Sequence, residues 1–259
     1  MGRADRPTMS SRTIPLALAV TIALYGCATE TTINTETGDP AERADVHAQL
    51  AAQYMERNSL EVALDELNQA LAVKPDHSRS NYVMAVLQTR LKDYAAADRY
   101  YRRALKSDPK NSEAAHDYGN FLCEQGKVKE GLKYFEQALS NPLYRGTALT
   151  NLRAGECLIT RGGNPVAAEK YFRAVLKQNP RVSLALYYMA QINYDNGNYL
   201  SARAFIERFF GAGSESPESL LLATRIETRL QADEVAQDYA RRLRAKFPSS
   251  EQAAQLKGL

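Results

Sequence analysis

The sequence predicts an all-α protein in which pairs of helices repeat along the chain. Pro75 and Pro109 lie 34 residues apart, and a fixed period of this length is typical of stacked helical units. No segment shows the clean apolar and polar alternation, with a period of two, that indicates a half-buried β-strand. Residues of matching character precede the two prolines at the same offsets: Ala63, Leu67 and Ala70 before the first, and Ala97, Tyr101 and Ala104 before the second.

This spacing resembles the tetratricopeptide repeat, in which each unit is a helix A followed by a helix B. The resemblance implies a right-handed superhelical solenoid of six tetratricopeptide helix pairs. Each pair leaves an apolar face that its neighbours must cover, so stacking creates one continuous core. No copy carries the tryptophan of the family pattern; His47, Asn81 and Ser219 stand at that position in copies one, two and six. The predicted domain covers residues 44–259, with pairs at 44–77, 78–111, 112–146, 148–182, 183–215 and 216–250.

The later copies depart from the pattern at their turns. Copy three closes one residue early, at Pro142. Copy four needs one inserted residue in the Arg161–Asn164 turn, where an insertion costs least. Copy five ends in the glycine-rich segment 211–214, and copy six needs an extra residue near Gln231. We expect the apolar positions of all six copies to form the core.

The N-terminal residues have the organisation of a bacterial lipoprotein signal peptide. An apolar run at residues 14–24 follows Arg12 and is too short to span a bilayer. It ends in Leu24-Tyr25-Gly26-Cys27, which resembles a lipobox. We therefore expect a signal peptide at residues 1–26 and lipidation of Cys27. An ordinary secretory signal followed by an unrelated cysteine is the alternative.

The residues around the lipobox predict where the protein resides. Translation could begin at Met1 or at Met9. Ala28 follows the cysteine, and by similarity to bacterial sorting signals a residue other than aspartate there implies the outer membrane. Residues 27–43 are rich in threonine and lack apolar periodicity, so we expect a flexible tether with a mean reach of roughly 20 Å. The repeats should then be lipid-anchored and face the periplasm.

Charge and motif content argue against catalysis and against nucleic-acid binding. The formal net charge is +3, and the predicted signal peptide contributes two of these charges, so the rest of the chain is near neutral. The sequence has no P-loop, G-x-S-x-G or H-E-x-x-H pattern. His47, His77 and His116 are scattered and lack metal-ligand spacing. We predict no catalytic residue, metal, cofactor or small-molecule substrate.

Two cysteines remain after Cys27, and they lie one period apart. Cys123 and Cys157 occupy near-equivalent places on helix A of copies three and four. Adjacent A helices stack side by side, and the periplasm permits disulfides. The spacing therefore favours a bridge that staples the middle of the solenoid. Two unlinked small apolar residues at helix contacts are the alternative.

Beyond the repeat, the chain resembles the PilF/PilW family of outer-membrane lipoproteins of type IV pilus biogenesis. The resemblance covers essentially all of the chain. It is strongest at residues 117–126 and 141–144, continues through 151–157 and ends with 219–225 and 247–251. It implies a pilotin, a non-catalytic protein that helps the pilus secretin reach, or assemble in, the outer membrane. The second hypothesis is a different periplasmic repeat lipoprotein, an adaptor in barrel assembly or peptidoglycan remodelling that binds another outer-membrane or periplasmic protein.

In such repeats helix A lines the concave face, which predicts the binding surface. Copies one to three offer an apolar groove with an arginine at its side, suited to an extended segment or an amphipathic helix. Methionine and tyrosine are an adaptable and a rigid contact residue, respectively. For most of these positions individually, an ordinary half-exposed helix residue is the alternative. The predicted protein-binding residues are Met55, Tyr82, Val86, Arg90, His116 and Asn120.

Overall fold

A computed structural model describes residues 38–213 and 215–256. The predicted signal peptide, Cys27 and most of the predicted tether lie outside these residues. Within them the chain forms thirteen helices and no strand, and no helix is long and apolar enough to cross a membrane. The helices are α1 (Pro40–Glu56), α2 (Leu60–Val73), α3 (Ser78–Arg90), α4 (Tyr94–Ser107), α5 (Ser112–Glu124), α6 (Val128–Leu139), α7 (Thr147–Thr160), α8 (Pro165–Gln178), α9 (Ser183–Asp195), α10 (Tyr199–Ala212), α11 (Pro217–Arg229), α12 (Asp233–Lys246) and α13 (Glu251–Gln255).

The first twelve helices pack as six consecutive pairs, α1 with α2 through α11 with α12. Each pair also contacts the next, so the apolar residues form clusters that follow one another along the stack. α13 packs against α11 and α12 and covers the last pair. This arrangement confirms the predicted all-α solenoid of six helix pairs.

Small residues on the A helices allow the two helices of a pair to approach closely. A Cβ added at Gly119 would lie 2.8 Å from the Phe135 ring, and one at Gly155 would lie 2.6 Å from the Phe172 ring. Both rings are fully buried, and each contributes about 1.5–3 kcal/mol by burial. Alanine fills the matching position in other pairs, at Ala51, Ala85 and Ala190.

A buried polar residue replaces the missing tryptophan in the second pair. The Asn81 side chain is fully buried, and its Nδ2 donates to the carbonyl oxygens of Pro75 at 3.0 Å and His77 at 2.9 Å. These bonds tie the start of α3 to the preceding proline turn. His47, the equivalent residue of the first pair, instead lies 2.7 Å from the carboxylate of Glu66 on α2.

Helix bounds correct three of the predicted boundaries, one of which is the start of the fourth pair, where α7 begins at Thr147 and not at residue 148. α1 begins at Pro40, so residues 40–43 are helical and do not belong to the predicted tether at 27–43. Proline is favoured in the first helical turn, and the Asp39 carboxylate accepts from the amide of Ala41 at 2.9 Å as a cap. α11 begins at Pro217, so the sixth pair does not begin at residue 216.

The turns between helices A and B test the predicted insertions. Four residues, 161–164, connect α7 to α8, whereas three residues make this turn in the other pairs. The extra residue predicted there is therefore confirmed, but the one predicted near Gln231 is wrong. Because α11 starts 34 residues after α9, the sixth pair fits the period without an insertion. Ser219 belongs to the α11 capping box with Ser216 and does not occupy the tryptophan position.

Candidate protein-binding site

The A helices present a common surface along the solenoid. α1 contacts α3, α3 contacts α5, α5 contacts α7, and α9 contacts α11. We call the solvent-facing side of these helices the A-helix face. Three pockets lie on it, one each at the α1–α3, α5–α7 and α9–α11 junctions.

The first of these, the N-terminal pocket, has a volume of about 180 Å³. It contains four of the six predicted binding residues, Met55 on α1 and Tyr82, Val86 and Arg90 on α3. An apolar floor of this kind can hold an apolar side chain of a partner. The remaining lining residues are Ala52, Glu56 and Val83.

Hydrogen bonds hold the two polar side chains of the N-terminal pocket in place. The Tyr82 hydroxyl donates to Oδ2 of Asp117 on α5 at 2.7 Å. Burial, followed by the Asp117 carboxylate, raises the pKa of the Tyr82 hydroxyl, so it remains a donor. Arg90 Nη1 donates to the carbonyl oxygen of Met55 at 2.8 Å, satisfying the C-terminal turn of α1. The pocket walls are therefore fixed before any partner binds.

Sequence reasoning missed Asp117 as the residue that orients Tyr82. The two residues are 35 positions apart, one more than the repeat period, so they do not share an equivalent position. Their contact depends on the side-by-side packing of α3 and α5. The available signal was an acidic residue one position beyond the period on the next A helix.

His116 does not face solvent as the binding prediction requires. Its side chain is buried between α5 and α7, with only 9% of the residue exposed. Nδ1 lies 2.8 Å from the Thr150 hydroxyl, which donates to the carbonyl of Gly146 at 3.0 Å. Burial lowers the pKa of the His116 imidazole, against the opposing effect of Asp117. We therefore remove His116 from the predicted binding residues and assign it to the α5–α7 contact.

Asn120 lies in the second pocket, which is separate from the N-terminal pocket. Asn120 donates from Nδ2 to Glu124 at 2.9 Å. The same pocket, of about 200 Å³, is lined by Cys123 and Cys157 and by charged side chains of α5 and α7. The two cysteines form a disulfide with their Cα atoms 5.8 Å apart. This bridge joins the third pair to the fourth.

The third, C-terminal pocket lies between α9 and α11 and has a volume of about 180 Å³. α13 closes one side of it. Arg225 on α11 donates to Gln255 at 2.9 Å, and Gln252 donates to Glu218 at 3.2 Å. Tyr187 and Leu221 line its interior.

The described residues offer no group of three or more His, Cys, Asp or Glu side chains able to hold a metal ion. Two titratable side chains of α3 and α5 instead make structural contacts, Tyr82 with Asp117 and His116 with Thr150. What the A-helix face presents is three separate pockets with apolar and charged lining residues. Pockets of this kind are suited to the side chains of a protein segment.

Comparison with known proteins identifies the repeat and its relatives. Models of the tetratricopeptide repeat match residues 49–112, 160–217 and 89–141. The type IV pilus assembly protein PilF of Pseudomonas aeruginosa is 28% identical over 240 residues, which are 91% of this chain and 94% of PilF.

Solved structures of PilF and PilW are also similar to this chain. The structure of Pseudomonas aeruginosa PilF matches with a TM-score of 0.72 and 26% identity, covering 85% of this chain and 99% of PilF. That of PilW, described as a widely conserved type IV pilus biogenesis factor, matches with a TM-score of 0.66 and 27% identity, covering 82% of this chain and 97% of PilW. The chain therefore belongs to the tetratricopeptide repeat proteins and is PilF/PilW-like.

Proposed function

We propose that this protein acts in type IV pilus biogenesis as a pilotin, binding the pilus secretin through the N-terminal pocket. The observation that carries the proposal is similarity to PilF, a type IV pilus assembly protein, over 91% of this chain. Similarity that covers 94% of PilF is not confined to a single generic repeat.

The N-terminal pocket supplies the binding surface in this proposal. Its apolar floor is open to solvent, while Tyr82 and Arg90 are already held by Asp117 and by the α1 backbone. A preformed pocket loses little conformational entropy on binding. Tyrosine and arginine are enriched among residues that dominate binding energy. An apolar side chain of the secretin would fill the pocket between α1 and α3.

Lipidation at Cys27 would place this surface at the membrane that holds the secretin. The lipobox resemblance at residues 24–27 motivates this part of the proposal. Two or more acyl chains anchor a protein stably, because each buried methylene adds about 0.8 kcal/mol. The repeats would then be tethered at the outer membrane and face the periplasm. Labelling with a radioactive fatty acid should mark the protein and should fail for Cys27→Ser.

The experiment is capture of the secretin from solubilised outer membrane by a tagged, lipidated copy of the full chain. We expect the secretin to be captured, and Tyr82→Ala with Val86→Ala to reduce its recovery at least tenfold. The fold should survive, because both side chains are only partly buried. Val166→Ala with Leu200→Ala is the matched control, since it removes exposed apolar side chains, 70% and 71% exposed, from helices α8 and α10.

Two results would contradict the proposal. Undiminished capture by the Tyr82 and Val86 double variant would exclude the N-terminal pocket as the binding site. Absence of the secretin from the captured proteins, with another envelope protein in its place, would exclude the pilotin role itself. Circular dichroism of each variant must match the parent protein for either result to be interpreted.

A further inference from the structure

Two rows of charged residues with the same order run across the first three A helices, and two of their members, Glu56 and Arg90, line the N-terminal pocket. At the start of the A helices, Asp45, Arg79 and Glu113 follow one another at 34-residue intervals on α1, α3 and α5. Near the ends of the same helices, Glu56, Arg90 and Glu124 also follow one another at 34-residue intervals. Each row therefore reads acid, arginine, acid across three consecutive pairs. We call them the two acidic rows.

The arginines of both rows are engaged within the protein. Arg79 Nη1 lies 3.1 Å from an oxygen of Asp45, and Arg90 Nη1 donates to the Met55 carbonyl. Within the described part of the chain no lysine or arginine pairs with Glu56, Glu113 or Glu124. These three carboxylates are exposed. Of these carboxylates, Glu56 lines the N-terminal pocket, Glu113 contributes to the raised pKa of Tyr82, and Glu124 lines the second pocket.

Asp117 adds a further negative charge beside the pocket. Glu113 and Asp117 both contribute to the raised pKa of the Tyr82 hydroxyl, after the larger effect of burial. With Glu56, which lines the pocket, they make three carboxylates against the guanidinium group of Arg90. The charged residues that line the pocket or act on Tyr82 therefore sum to a negative charge, even though Arg90 is among them.

Neither the opposite side of the solenoid nor its C-terminal half repeats this pattern. Helix α4, the partner of α3, carries Arg99, Arg102, Arg103 and Lys106 against a single Asp98. In the fourth and fifth pairs the positions that match Glu113 are Leu149 and Leu184, although the sixth pair has Glu218 there. Helix α2 is acidic as well, with Glu61, Asp65 and Glu66. The order acid, arginine, acid in two rows is therefore a feature of the A helices of the first three pairs.

We propose that the N-terminal pocket takes a basic amphipathic segment of its partner, with apolar side chains in the pocket and Lys or Arg side chains on the two acidic rows. This rests on the proposed function, because it names the chemistry of the partner segment at the same site. Complementary rim charges speed association and exclude partners of the wrong sign. An acidic or uncharged amphipathic segment would leave the rows unpaired.

The test uses two synthetic amphipathic peptides of equal length with the same leucine anchors. One carries lysine at the flanking positions, and the other carries glutamate. Fluorescence anisotropy with the full-length protein in detergent should show that the lysine peptide binds at least tenfold more tightly. The difference should shrink between 0.05 M and about 0.5 M salt, because rim charges are screened. Tyr82→Ala with Val86→Ala should weaken binding of the lysine peptide as well.

Variants that neutralise pairs of carboxylates test which residues cause the preference for the lysine peptide. Glu56→Gln with Glu113→Gln should weaken binding of the lysine peptide about fivefold. The matched control is Glu61→Gln with Asp65→Asn, which removes two exposed carboxylates from α2 and should leave binding unchanged. Equal losses in both variants, equal affinity for the two peptides, or no binding of the lysine peptide would overturn the inference.

The outcome is separable from that of the proposed function. If the secretin is captured through the Tyr82 and Val86 surface at all salt concentrations, the pilotin proposal stands and the basic segment is excluded. If the lysine peptide is preferred but the secretin is not captured, the pocket chemistry stands and the partner is a different protein with a basic segment.

Discussion

The first three helix pairs and the last three share one core design but present different A-helix faces. In the first three, a pocket with an apolar floor opens between α1 and α3, and the exposed carboxylate of Glu56 lines it. In the last three, α13 closes one side of the pocket between α9 and α11 through Arg225–Gln255 and Gln252–Glu218 contacts. The same repeat thus combines a shared set of core residues with a variable set of surface residues. The period fixes the buried positions, whereas the exposed positions vary between halves.

The disulfide joins the two halves, and removing it should have the largest effect on stability. The bridge closes a loop with a sequence separation of 34 residues, which in the chain-entropy model stabilises the fold by about 3–4 kcal/mol. Cys123→Ser with Cys157→Ser should lower the free energy of unfolding by that amount in urea titrations. The parent protein treated with reductant should match this variant. Equal unfolding free energies for the oxidised and reduced parent protein would show that the disulfide does not stabilise the contact between the halves.

The covering of the C-terminal half should depend on Leu256, which follows α13. Its side chain is 3% exposed and packs in the cluster with Leu220, Leu221 and Leu243. Leu256→Ala should cost about 2 kcal/mol, at the low end for buried leucine because the site is at the end of the stack. Leu143→Ala is the same chemical change at a residue that is 86% exposed, and it should cost less than about 0.5 kcal/mol. Similar costs for the two variants would mean that α13 does not seal this half.

The smallest expected effect is on the pH dependence of the unfolding free energy, and it comes from His116 in the third pair. Burial lowers the pKa of His116 below its ordinary value of 6.5. The unfolded chain then binds a proton more readily than the folded one, so this contribution to stability is present above pH 6.5 and is lost as the pH falls toward the folded-state pKa. His116→Gln should make the unfolding free energy less dependent on pH between about 7 and 5. His77, whose pKa is also lowered by burial, is retained in both proteins. An unchanged slope would exclude His116 as the source.

Residues set by the repeat period could be predicted from sequence, while contacts that depend on side-chain packing could not. The spacing of Pro75 and Pro109 predicted the solenoid, and four pocket residues followed from their positions on helix A. The burial of His116 depends on the contact between α5 and α7, which no single-helix pattern reveals.

The error in the sixth pair has a different origin. Ala223 resembles the small residue expected on helix A, and Ser219 stands four residues before it. Those two residues suggested a start at residue 216 and hence a compensating insertion. In the structure Ser216 is the N-cap of α11, Ser219 completes its capping box, and the helix begins at Pro217. A small side chain in a helix that is buried on several sides is a weak guide to register.

Helix α13 has a consequence for the order in which the protein can mature. It is synthesised after the twelve helices of the stack, yet it covers Leu220 and Leu243 of the sixth pair. Until that short segment packs onto the sixth pair, the end of the solenoid exposes these leucines, and transiently exposed apolar surface is prone to aggregation. A product truncated before α13 would therefore keep most of its folded repeats but would expose apolar side chains at the end of the stack.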